Sequence, residues 1–214
     1  MMSRSLTRVY LWVAVCAVLA LIVKMRWLAA LDIAVADWAQ GVRTPGKDAA
    51  ARASTFFGSS TWALAAGVVM TGWWARAKRW RTIGAFWVSW GIGLALQSVL
   101  RCWVAQWRPD VYLPASLHWV VDRLFNTGFP SGHAFRSTFI FGWWIDALQR
   151  HPAHGARAAL AACAVLIVLV GATRVYLHRH WMSDVVGGWV VAMLSLALAC
   201  ALRVEVAKPA CDQV

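Results

Sequence analysis

Three short clusters hold the residue types that could do chemistry: Arg101-x6-Arg108-Pro109, Pro130-Ser131-Gly132-His133, and Thr173-Arg174-x5-His180-x3-Asp184. Arginine offers a planar fork of donors matched to phosphate oxygens. Arg101, Arg108 and Arg174 together suit a phosphoryl group and the charge spread over its equatorial oxygens. Ser131 and Gly132 begin a helix, where free backbone N–H groups and the helix dipole favour an anion, and Gly132 has no side chain to keep the backbone away from it. His180 and Asp184 are four apart and lie on one helical face if the first turn has begun. Asp184 can then accept from one imidazole nitrogen and leave the other free to attack phosphorus. His178, six before Asp184, falls off that face. His133 remains to protonate the leaving oxygen and later to take a proton from water. His133, His178, His180 and Asp184 are also potential zinc ligands, but an H-E-x-x-H or Cys/His set is absent, so neither metal nor any other cofactor is expected.

The elements that must position these clusters are membrane spans. Of 214 residues 61% are hydrophobic and only 14% charged, and the mean hydropathy is +0.58. An ordinary soluble domain is about a quarter charged, so the apolar excess belongs in a bilayer, and the 16 tryptophans suit its interfaces. The net charge of +12 fits basic flanks of spans and an anionic substrate. No segment resembles a basic nucleic-acid-reading helix, and no nucleic-acid partner is expected. Cys16, Cys163 and Cys200 sit in apolar stretches, and Cys102 and Cys211 are scattered without a framework, so no disulfide is expected.

Six segments qualify or nearly qualify as spans, at about 9–23, 56–74, 83–100, 131–148, 158–173 and 185–202. The prediction is an all-α polytopic helical bundle, one membrane-embedded domain over 1–214. Span three ends at the first cluster and span four starts at the second. Four crosses and five returns, so the third cluster lies on the same side. Between the first two spans, Leu28, Leu31, Val35 and Trp38 recur at helical spacing with Asp32 and Asp37 among them, predicting a short interfacial amphipathic helix that ends near Thr44-Pro45-Gly46. The short loop with Arg76, Lys78, Arg79 and Arg81 is expected in the cytoplasm, and the three clusters therefore on the outer face.

At these residues the sequence resembles the type 2 phosphatidic acid phosphatase superfamily, whose signature is K-x6-R-P, then P-S-G-H, then S-R-x5-H-x3-D. All three parts occur in order at family spacing, with Arg101 for the lysine and Thr173 for the serine. The resemblance implies a metal-independent lipid phosphatase with His180 as nucleophile, Asp184 orienting it, His133 as acid, and Arg101, Arg108, Ser131, Gly132 and Arg174 as the phosphate cradle. It implies a compact bacterial inner-membrane protein acting on a lipid phosphate. Undecaprenyl diphosphate is the preferred expectation, with phosphatidylglycerol phosphate or phosphatidic acid next. Trp103, Trp107, Trp119 and Trp181 form the expected apolar rim. A lipid phosphotransferase and a non-catalytic lipid-binding membrane protein are the competing functions.

Overall fold

The structure, a computed structural model, describes residues 4–110, 126–150 and 154–205. Eight α-helices lie among the described residues: α1 (Arg4–Lys24), α2 (Ala29–Gly41), α3 (Pro45–Thr55), α4 (Ser60–Arg76), α5 (Trp80–Val104), α6 (Gly132–Arg150), α7 (Ala156–Tyr176) and α8 (Met182–Glu205), with a short tight turn, Phe56–Gly58, between α3 and α4. Among the described residues there is no β-strand, only an isolated bridge between Trp107 and Thr127.

Four stretches are long and apolar enough to cross a membrane: Ser5–Lys24, Trp80–Val104, Ala156–Tyr176 and Met182–Arg203. The other two expected spans correspond to α4 and α6. At 17 residues α4 is about 25 Å long, short of a ~30 Å hydrocarbon layer. Helix α6 carries His133, Arg136, Asp146 and Arg150, which lower its apolar content. It tolerates them because it is the central helix. Phe135, Phe139, Ile140, Phe141 and Trp143 are all buried, and α6 packs against both α7 and α8.

The core is largely aromatic. Trp90 meets Phe139 with ring centroids 5.1 Å apart at 78°, Phe86 meets Trp143 at 5.5 Å, and Trp74 meets Trp143 at 5.1 Å. Such edge-on and tilted aromatic pairs add about 0.5–1.5 kcal/mol each beyond area burial. Small residues bring α8 onto the start of α6. A Cβ on Gly188 would stand 2.5 Å from the Ser131 carbonyl oxygen, and one on Gly187 would run into the Phe129 ring. Facing outward, Val68, Val69, Trp73, Val165 and Val168 are exposed, an arrangement suited to lipid rather than water.

The predicted amphipathic helix corresponds to α2, and a second helix, α3, follows it. Thr44-Pro45-Gly46 does end α2, but it also starts α3: Thr44 Oγ1 accepts from the Lys47 N–H at 3.3 Å, with Pro45 in the first helical turn. The predicted apolar stripe is divided: Leu28 and Val35 pack against the core. Leu31 and Trp38 are exposed, whereas Asp32, Ala36 and Ala39 are buried.

Candidate active site

The three clusters meet at one end of the bundle. Helix α5 carries Arg101 in its last turn and stops at Ala105, which adopts φ 54° and closes the helix with its N–H on the Arg101 carbonyl at 3.1 Å. The chain then returns toward the segment that leads into α6. The Gly128 N–H donates to Gln106 O at 2.7 Å, and Arg108 Nε donates to Thr127 O at 3.3 Å. The Ser131 N–H donates to the Asp184 carbonyl at 2.9 Å, joining the second cluster to the third.

His180 is 2% exposed and Asp184 fully buried. His180 Nδ1 lies 3.2 Å from Asp184 Oδ2, which also accepts the Trp181 N–H at 3.0 Å, while Oδ1 accepts Gln106 Nε2 at 3.3 Å. A carboxylate accepts only, so Nδ1 carries the proton and Nε2 keeps its lone pair. Burial, followed by Arg108, Arg174, His133 and Arg101, holds the His180 imidazole well below the usual histidine range, which keeps it neutral. His178 is elsewhere: it takes φ 57° just beyond α7, and its ring packs edge-on to Trp181 at 6.3 Å.

Arginines surround this pair. Arg174 is 9% exposed, and its Nη1 donates to Thr55 Oγ1 at 3.2 Å while its Nε has no partner. Ser131 Oγ is likewise buried and unpartnered. Buried donors of this kind are rare unless a ligand's oxygens use them. Gly132 lies between two guanidiniums, since a Cβ there would be 2.9 Å from Arg136 Nη1 and 3.3 Å from Arg101 Nη2.

Arg136 was missed in the sequence. Its Nε donates to Gly58 O at 2.8 Å and its Nη2 lies 3.4 Å from His133 Nδ1. An arginine can only donate, so it fixes the Nδ1 lone pair as acceptor and puts the imidazole proton on Nε2. The signals were present: Arg136 is one helical turn after His133, and a charge inside a membrane helix marks function. In the sequence Asp32 stands out only as part of a helix. It is 4% exposed and accepts from the Ser183 N–H at 2.8 Å and from Ser183 Oγ at 2.5 Å. Ser183 Oγ accepts in turn from Gln106 Nε2 at 3.1 Å. Nothing local in the sequence foretells a contact across 151 residues.

Of the expected tryptophan rim, Trp181 Nε1 donates to Trp107 O at 2.7 Å, and Trp103 sits under Lys24, 4.2 Å from its ring centroid. Trp119 lies outside the described residues. Gly128 is a further site residue. A Cβ there would run into the Asp184 carboxylate, so Gly128→Ala is expected to displace Asp184 and cut turnover about 100-fold. Turnover and thermal melting measured together check this, with melting expected to change far less.

A cluster of arginines around a neutral histidine that faces a buried aspartate, with a second histidine beside Arg136, defines a class, and the comparison with known proteins agrees. The chain belongs to the PAP2 superfamily, whose family model matches residues 82–207. It is similar to phosphatidylglycerophosphatase B of Bacillus subtilis (strain 168), with 29% identity over 168 residues covering 76% of this chain and 78% of the relative. Its fold is similar to that in the crystal structure of a transmembrane PAP2 type phosphatidylglycerolphosphate phosphatase from Bacillus subtilis, at 23% identity and a TM-score of 0.75, covering 98% of this chain and 100% of that one.

Proposed function

We propose that this chain is an integral membrane phosphatase that removes the terminal phosphate of phosphatidylglycerol phosphate through a phosphohistidine at His180. The single observation that carries the reaction is the buried His180–Asp184 pair at 3.2 Å amid arginines. The similarity to phosphatidylglycerophosphatase B moves phosphatidylglycerol phosphate ahead of undecaprenyl diphosphate, the substrate preferred from sequence. The whole chain, 1–214, is read as one domain crossing a bacterial inner membrane six times, with its site on the periplasmic face.

The steps balance as follows. Arg101, Arg108, Arg174, Ser131 and the N–H groups at Gly132 hold the phosphoryl oxygens. His180 Nε2 attacks phosphorus, the phosphorus–oxygen bond to the glycerol breaks, and His133, made an imidazolium by a proton taken up with the dianionic substrate, gives its Nε2 proton to the departing oxygen. Water then attacks the phosphohistidine, the phosphorus–nitrogen bond to His180 Nε2 breaks, and His133 Nε2 takes the water's proton. Inorganic phosphate leaves and His180 is restored. Every group is a side chain or backbone N–H of this chain, and the donor set suits an anion, so the reaction is read as metal-independent.

The test is phosphate release by detergent-purified protein in EDTA across phosphatidylglycerol phosphate, phosphatidic acid and undecaprenyl diphosphate. Release is expected, greatest from the first. Release that needs an added metal, or none from any lipid by folded protein, would contradict this reading. The pH dependence follows from His180. Its depressed pKa means that nucleophilicity is lost only as pH falls through a value below the usual 6.5. The acid limb of kcat/KM, corrected for the substrate's own ionisation near pH ~6, is therefore expected below 6.5. A limb above that value would mean a protonated histidine in the free enzyme.

A further inference from the structure

A cavity of about 310 Å³ opens beside the site, between the end of α1, the start of α2 and the segment after α5. Lys24, Arg26, Gln106, Arg108 and Trp181 line its polar side, with Val23 and Val104 at its apolar side. Two of these residues connect it to the site. Arg108 is tied to Thr127, and Gln106 donates to Asp184. Lys24 Nζ is fixed by the Trp103 carbonyl at 3.0 Å and by the face of the Trp103 ring. Arg26 sits at φ 61° in the tight turn joining α1 to α2. Among the described residues neither Lys24 nor Arg26 is paired with a carboxylate, whereas Arg43, Arg150, Arg179 and Arg203 all are. The one carboxylate in the cavity wall, Asp32, is engaged by Ser183.

We propose that this cavity is a second-phosphate subsite: Lys24 and Arg26 hold the phosphodiester that links the headgroup to the lipid, while the terminal phosphate occupies the arginine cradle. The proposal rests on the phosphatase reading above and deepens it. Val23 and Val104 close apolar helices at this level, so an anion here stands where a headgroup phosphodiester meets its hydrocarbon. Two unneutralised cations beside a cradle arginine select a substrate with two phosphorus centres joined by a short polar bridge over one with a single phosphate.

The test compares wild type with the Lys24→Ala/Arg26→Ala double variant on short-chain phosphatidylglycerol phosphate and short-chain phosphatidic acid, with competition by free inorganic phosphate. The ratio of kcat/KM between the two lipids is expected to fall about tenfold or more in the variant, mainly through KM for the first lipid. The loss is expected to shrink in high salt, with inhibition by free phosphate little changed. An unchanged ratio, including one in which both lipids weaken equally because the two residues only anchor α1 or attract any anion, would overturn the subsite. An equal weakening of free phosphate would show that the pair serves the cradle itself, and would overturn it too. Wild type that hydrolyses neither lipid would instead sink the phosphatase reading, and the subsite with it.

Discussion

Replacing His180 with alanine is expected to lower phosphate release by about five to six orders of magnitude, the scale on which loss of a covalent nucleophile is felt. The fold should survive, because the His180 ring makes its hydrogen bond to Asp184, and Asp184 keeps the Trp181 N–H and Gln106 without it. His178→Ala is the matched control. His178 is two residues away in the same turn, but it packs on Trp181 rather than on Asp184, so its loss is expected to cost under about tenfold. Single-turnover phosphate release by the two variants separates them. A fully active His180→Ala protein, or a dead His178→Ala protein with normal melting, would put the nucleophile elsewhere.

Asp184→Asn is the second large effect, expected at about 10⁴-fold by analogy with the serine-protease triad, where the same change leaves the histidine in the wrong tautomer. The geometry supplies the reason. Asp184 Oδ2 takes both His180 Nδ1 and the Trp181 N–H, and Oδ1 takes Gln106 Nε2. An asparagine can satisfy only one side with oxygen. If its NH2 faces His180, the proton moves to Nε2 and the attacking lone pair is lost. Measured kcat with unchanged KM and unchanged melting checks the effect. A loss confined to KM would make Asp184 a binding group.

Much of this was legible in the sequence because hydropathy and turn chemistry are local. The positions of α1, α5, α7 and α8 follow from runs of apolar residues. The meeting of the three clusters follows from counting crossings between them. What escaped was non-local. Helix α6 stands where a span is expected, at 131–148, but its Arg136 escaped, because it faces Gly58 and His133 rather than lipid. In α2 the apolar stripe is expected at the membrane surface, yet Leu28 and Val35 pack on the core while Leu31 and Trp38 stay exposed, and Asp32, Ala36 and Ala39 are buried because small residues permit close approach. Thr44-Pro45 marks an ending in the sequence, but a capping threonine followed by proline also starts a helix, and here it does both. Gly128 matters only because Asp184 stands against it, a fact that no spacing within either segment encodes. Cys211, like Trp119, falls outside the described residues.

The most direct measurement is capture of the phosphoryl-enzyme. Wild-type protein mixed with phosphate-labelled phosphatidylglycerol phosphate and quenched in base within milliseconds is expected to carry an acid-labile, base-stable label that peptide mass spectrometry places on His180, and His180→Ala protein to carry none. Label on another residue, or equal labelling of both proteins during turnover, would contradict the account.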